Sequence, residues 1–181
     1  MVNQVGLGIL EELEGEVETS ALHRSVYATD ASVYREIPLA VCYPKTESDI
    51  QKIIQFASKN KIGIIPRGGG TSLAGQCVGT GLVVDLSRHF NKILEFNPAE
   101  RWVKVQPGLV RDELNRLIAS SGLHFGPNTS TANRCTIGGM YGNNSSGTSS
   151  IKYGTTRDKT LAAKIFTDDA HPLHLSSAGL V

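Results

Sequence analysis

Apolar residues recur along this chain in short blocks, and the spacing within each block predicts the element it forms. Residues 39–43 are a continuous apolar run ending at Pro44, the pattern of a buried strand. Directly after it, Ile50, Ile53, Ile54 and Ala57 recur at i, i+3, i+4 and i+7, one face of a helix. Thr46 and Asp49 stand at capping-box spacing ahead of that face, with Asp in place of Glu or Gln. Lys59, Asn60 and Lys61 suit its C-terminal end, where cations complement the dipole and Asn tolerates a left-handed turn. Residues 62–66 then give a second strand and 82–86 a third. A strand–helix–strand unit of this length implies parallel strands and a right-handed crossover.

The pattern then changes. Strands are expected at 92–96 and 101–106, joined by the turn Asn97-Pro98-Ala99-Glu100 into an antiparallel hairpin. After Pro107-Gly108, the residues Val110, Leu114, Leu117 and Ile118 line one face of a second helix that stops at Ser121-Gly122. Val110 stands where a capping Ser or Thr would help. Residues 125–153 read as a long turn-rich loop, which inside a compact domain is functional or disordered. A last strand is expected at 161–166, and His171-Pro172-Leu173-His174-Leu175 opens an element that the chain does not finish. At the other end, residues 1–18 are acidic, and Leu10, Leu13 and Val17 support at most a short amphipathic helix. Residues 25–34 are polar and aromatic and predict extended chain or loop. Residues 1–36 are therefore read as an arm and 37–181 as the domain proper.

Twelve of the nineteen glycines fall within 63–81 and 138–154. The sharpest concentration is Pro66-Arg67-Gly68-Gly69-Gly70-Thr71-Ser72, at the carboxyl end of a predicted strand, where open α/β sheets bind ligands. Three glycines together pack poorly, because glycine loses the most backbone freedom on folding and offers no side chain. They suit a backbone that approaches a ligand closely, with successive N–H groups forming a nest for phosphate. A tight surface loop is the alternative reading.

Composition narrows the partners. The 181 residues are 40% hydrophobic and 19% charged, enough to bury a core as a soluble globular protein. A net charge of +1 gives no support to a nucleic-acid or anionic-membrane partner. Cys42, Cys77 and Cys135 form no CxxC pair, and an odd count without a secretion signal argues for reduced thiols in the cytoplasm. No stretch approaches the roughly twenty apolar residues of a membrane span.

Several chemistries are excluded by single residues. Gly70 and Gly75 have Walker A spacing, but Gln76-Cys77 stands where Lys-Ser/Thr is needed, so no cation reaches the outer phosphates. A GxGxxG beginning at Gly68 requires glycine at 73, and Leu73 is there. HExxH and GxSxG are absent, and the carboxylates form no acid/base pair. His171 and His174 are read as solvent-facing side chains, not metal ligands. What remains is two glycine-, hydroxyl- and amide-rich loops, a pattern that suits a diphosphate cofactor carrying the chemistry itself.

The stretch 66–72, Val105-Gln106-Pro107-Gly108, Thr136-Ile137-Gly138-Gly139 with Asn143-Asn144-Ser145-Ser146-Gly147, and Tyr153-Gly154-Thr155-Thr156-Arg157-Asp158 occur in this order. Together they resemble the FAD-linked oxidases of the vanillyl-alcohol oxidase / p-cresol methylhydroxylase type, over 38 to the C-terminus. Within that family the chain is most similar to the D-lactate, glycolate and D-2-hydroxyglutarate dehydrogenase branch. The resemblance implies an α+β fold, with a small parallel strand–helix–strand subdomain and the start of a second, mixed or antiparallel one. It implies that Arg67, Gly68, Gly69, Gly70, Thr71 and Ser72 cradle the FAD pyrophosphate. Pro127, Ile137, Gly138 and Gly139 would line the other side, with Asn143, Ser146 and Gly147 near the ribityl chain and ring. Arg67 is either a charge partner for phosphate or a structural residue.

Some relatives carry histidine at the position of Thr71 and bind FAD covalently; Thr71 implies non-covalent flavin. Family members continue into a further flavin segment and a substrate domain, so the chain is expected to be an N-terminal portion holding no catalytic residue. Its alternatives are a flavin-binding piece without catalysis, or a same-fold flavin enzyme with another substrate. The whole enzyme would act on a 2-hydroxy acid and pass electrons to an acceptor. The stretch Tyr27 to Tyr34 resembles members fused to an iron–sulfur domain, and the implied location is cytoplasmic, peripheral to the inner membrane.

Overall fold

The computed structural model describes residues 12–176 and 179–180. Its first layer is a four-stranded sheet in the order β1-β2-β4-β3. The strands are β1 (Glu16–Glu18), β2 (Ala40–Tyr43), β3 (Ile64–Arg67) and β4 (Leu82–Asp85). β4 lies between β2 and β3 and runs parallel to both, so the two strands of the predicted strand–helix–strand unit are parallel without being neighbours. Alternation along the central strands sets the two faces. Ala40, Cys42, Leu82 and Val84 bury one side against Ile53, Phe56 and Ala57 of helix α2 (Glu47–Asn60). Val41, Tyr43 and Val83 bury the other side, against Tyr27 and Ile65.

Helix α2 starts as predicted. The Thr46 hydroxyl accepts from Asp49 N, and the Asp49 carboxylate accepts from Thr46 N. Its end differs: Lys61 takes the left-handed conformation (φ 54°), while the Asn60 side chain donates to the Phe56 carbonyl at 2.8 Å. Asn60 therefore caps with its amide and leaves the strained position to its neighbour.

The N-terminal expectations change more. The short helix expected over Leu10–Val17 is, within the described residues, strand β1, paired antiparallel with β2 from Glu16↔Tyr43 to Glu18↔Val41. Leu10 lies outside the described residues. The cause is long-range: Asp49 accepts from Glu14 N (3.0 Å) and Gly15 N (3.1 Å), pinning the chain where it enters the strand. Residues 25–34 are not all extended either, because helix α1 (Ala21–Val26) runs into them, its first turn capped by Ser20.

The second layer follows the predicted order. Strands β5 (Ile93–Asn97) and β6 (Trp102–Val105) form the antiparallel hairpin, turned by Arg101 at φ 61°. Helix α3 (Arg111–Ile118) has no side-chain cap at Val110, and its Leu114 and Ile118 pack with Leu109 on Ile93, Phe96, Val103 and Val105. The segment 125–153 is less irregular than predicted, for it contains α4 (Ile137–Gly142) and α5 (Ser150–Tyr153). Strands β7 (Ala162–Phe166), β8 (Pro172–Ser176) and β9 (Gly179–Leu180) complete an antiparallel third sheet. The open element at 171–175 is thus β8. Lys164 Nζ on Glu47 (2.5 Å) and Gln51 Nε2 on the Ala170 carbonyl (3.1 Å) tie this sheet to α2.

Candidate functional site

The glycine loop leaves β3 at Arg67, whose register partner on β4 is Asp85. Its glycines serve two different needs. Gly70 takes φ 63°, a left-handed conformation that side chains disfavour. Gly68 and Gly69 are there for space: a Cβ on Gly68 would collide with the Thr136 hydroxyl, and one on Gly69 with the Arg134 carbonyl. The two glycine-rich stretches therefore lie against each other. Gln76 Nε2 donating to Asn143 Oδ1 at 3.3 Å bridges them a second time.

The two stretches differ in their hydrogen bonding. Among the described residues, the backbone N–H groups of Gly68, Gly69, Gly70 and Thr71 donate to no protein acceptor, while that of Ser72 turns to the Cys77 thiol. On the facing wall the N–H groups are committed. Ile137 N donates to the Leu109 carbonyl (2.9 Å), Gly138 N to the Pro107 carbonyl (2.8 Å), and Gly139 N to Thr136 Oγ1 (3.3 Å). A run of unpaired donors on a surface without side chains is what an anion with several oxygens requires. The loop thus offers donors, and the facing wall offers shape.

The remaining predicted positions form a third segment. Pro127 is buried and its carbonyl accepts from Arg111 Nε at 3.1 Å. Gly147 sits so close to the Asn128 carbonyl that a Cβ would strike it, and Gly147 N donates to Ser150 Oγ at 3.0 Å. A compact turn, with Cys135 N on the Thr131 carbonyl and Ala132 N on the Thr129 carbonyl, joins this segment to Thr136. Ser146 is exposed.

Arg67 is engaged away from any ligand. Its guanidinium donates to the carbonyls of Thr29 (2.7 Å), Cys77 (3.2 Å) and Tyr27 (3.3 Å), and lies 5.0 Å from the centre of the Tyr27 ring. Beside it is a group the sequence did not single out. Asp85 is buried, with Oδ1 accepting from Ser87 N and Oγ and Oδ2 accepting from the Tyr27 hydroxyl at 2.6 Å. Burial, reinforced by the bond to Asp85, pushes the Tyr27 phenol pKa up, so it remains a proton donor. A carboxylate closing the apolar run Leu82-Val83-Val84 and followed by Ser87 was the available signal.

Among the described residues, no group of three or more His, Cys, Asp or Glu could hold a metal. Among the described residues, no helix is long and apolar enough to cross a membrane.

The sequence pattern of an FAD binding domain matches residues 38–176. The chain belongs to this FAD-binding family. The FAD-binding domain is 41% identical to a D-2-hydroxyglutarate dehydrogenase of Haemophilus influenzae, over 99% of this chain and 18% of that protein. It is 37% identical to the glycolate oxidase subunit GlcD of Bacillus subtilis, over 78% of this chain and 31% of that one. The chain therefore spans only a small part of the curated relatives it matches. Among solved structures, 6-hydroxy-D-nicotine oxidase from Arthrobacter nicotinovorans superposes with a TM-score of 0.80 at 23% identity, covering 92% of this chain and 36% of that one. Alkyldihydroxyacetonephosphate synthase does so with a TM-score of 0.77 at 23% identity, covering 88% and 31%. These two establish the fold, and the cofactor is FAD. The unpaired donors at 68–71 and the bare glycine surface there fit its diphosphate.

Proposed function

We propose that the FAD-binding domain is part of a flavin-dependent dehydrogenase that oxidises a 2-hydroxy acid of the D-lactate, glycolate or D-2-hydroxyglutarate type. The 41% identity to a D-2-hydroxyglutarate dehydrogenase over 99% of the chain carries this reading. The unpaired N–H groups of Gly68 to Thr71 hold the diphosphate, with Ser72 closing the loop behind them, while Ile137, Gly138 and Gly139 form the surface against which the cofactor lies. Asn143, Ser146, Gly147 and Pro127 border the ribityl chain and ring. Bound FAD supplies the hydride acceptor, and the base that takes the hydroxyl proton belongs to another part of the enzyme. Thr71 has no imidazole nitrogen to form the histidyl–flavin bond that some relatives carry at this position, which supports a cofactor held non-covalently.

The intact enzyme passes its electrons to an acceptor and carries an iron–sulfur domain in the same chain. The stretch Tyr27 to Tyr34 supports the latter, as does the 18% share of the dehydrogenase relative that this chain spans. Three free, buried thiols support a cytoplasmic setting, and a place peripheral to the inner membrane belongs to the same proposal. The test is anaerobic addition of D-lactate, glycolate and D-2-hydroxyglutarate to the intact protein. At least one is expected to bleach the visible flavin absorbance. Bleaching by none of them overturns the substrate class.

A further inference from the structure

The loop at 68–72 sets little of its own shape by N–H bonding, since the four N–H groups of Gly68 to Thr71 meet no protein acceptor and that of Ser72 reaches only the Cys77 thiol at the trailing end. Something outside it must. One short segment, residues 27–34, reaches both ends of the loop. At the leading end, the carbonyls of Tyr27 and Thr29 receive the Arg67 guanidinium, and the Tyr27 ring lies beneath it. At the trailing end, Cys77 Sγ donates to Asp30 Oδ2 at 3.5 Å, and the Tyr34 ring fills the space beside Gly75, where a Cβ would come within 2.7 Å of it. Arg67 also reaches the Cys77 carbonyl, closing the two ends on each other. The segment is itself anchored to the sheet through the Tyr27 hydroxyl on Asp85 Oδ2, and Asp85 is held from its other oxygen by Ser87.

We infer that residues 27–34 form a strap that pre-organises the phosphate-binding loop, with Tyr27 and Asp85 as the positioning pair that seats it. This rests on the reading of 68–72 as the diphosphate site and names what gives that site its shape. A loop of unpaired donors held at its ends binds an anion without first losing backbone freedom, so loosening the strap should appear as weaker diphosphate binding. The contact is between a neutral donor and a buried carboxylate. Removing the phenol oxygen leaves the ring over Arg67 in place and takes away only the anchor.

The experiment compares two ligands on the intact protein after flavin removal: FAD, which carries the diphosphate, and riboflavin, which does not. Tyr27→Phe is expected to raise the FAD dissociation constant roughly tenfold and to leave that of riboflavin within about twofold. Val33→Ser, in the same segment but 94% exposed, is the control and should change neither affinity. Should Tyr27→Phe fail to fold, Asp85→Asn keeps the side-chain shape and is held to the same ratio.

Equal weakening of FAD and riboflavin would mean general destabilisation and would overturn the strap. So would unchanged FAD affinity. A wild-type protein that binds neither ligand overturns the flavin site itself, and the strap's role at it.

Discussion

Gly68 and Thr136 approach so closely that a Cβ on the first would occupy the place of the second's hydroxyl. Thr136 is 3% exposed, and its Oγ1 caps α4 by accepting from Gly139 N at 3.3 Å. The Cγ2 and Cβ of Thr136 lie 3.0 and 3.1 Å from the same point, tighter than ordinary contact, so turning the hydroxyl away still leaves the new Cβ crowded. Loop and helix cap therefore share one volume.

That sharing makes a double-mutant cycle informative. Gly68→Ala is expected to destabilise the protein by about 1–3 kcal/mol through overpacking, and Thr136→Ala by about 1 kcal/mol through loss of the cap. The double variant should lose less than the sum, because removing the hydroxyl and methyl makes room for the new Cβ. Gly63→Ala, which meets nothing within 4 Å, should stay within about 0.5 kcal/mol of wild type. Urea unfolding of the flavin-free protein measures all four.

Asp49 links acid stability to the N-terminal strand. Its carboxylate is fully buried, which by itself would raise its pKa. The N–H groups of Lys45, Glu14, Thr46 and Gly15 outweigh that and hold it below the usual carboxylate range. A folded-state pKa below the unfolded one gives stability that is complete above about pH 4 and is lost as pH falls through the folded value. Asp49→Asn turns an acceptor into a donor facing N–H groups. It should destabilise by about 2–4 kcal/mol at pH 7 and flatten the acid limb of the stability curve. Denaturant midpoints from pH 2 to pH 7 would show both effects; an unchanged acid limb in the variant contradicts this assignment.

Thr71 predicts how the cofactor leaves. Acid precipitation of the flavin-loaded protein is expected to leave the flavin in the supernatant. Yellow colour carried down with the pellet would show a covalent bond and refute the non-covalent reading.

The thiols should be silent in the folded state. Burial pushes the Cys42 thiol up to about 12, and burial likewise raises Cys77. A disulfide-exchange reagent at pH 8 is expected to modify neither until denaturant is added. Rapid reaction of Cys77 in the native protein would show that the turn closing the glycine loop opens readily.

Much of this was determined by the sequence alone, wherever the physics is local. The face Ile50, Ile53, Ile54 and Ala57 and its Thr46 cap define α2 from residues a turn apart, and the structure agrees. Asn97 to Glu100 define the hairpin turn, and the glycines at 68–70 mark the loop proposed to hold the diphosphate. Only the tertiary structure could decide what depends on distant partners. Val17 became strand because Cys42 lies beside it and Asp49 holds the preceding N–H groups. β4 entered between β2 and β3 because strand order is a matter of which faces bury best, and no local spacing encodes it. The facing wall proved to have its N–H groups already bonded, while those of Gly68 to Thr71 were not. Hydrogen-bond satisfaction is a property of the folded surroundings, and a sequence motif does not contain them.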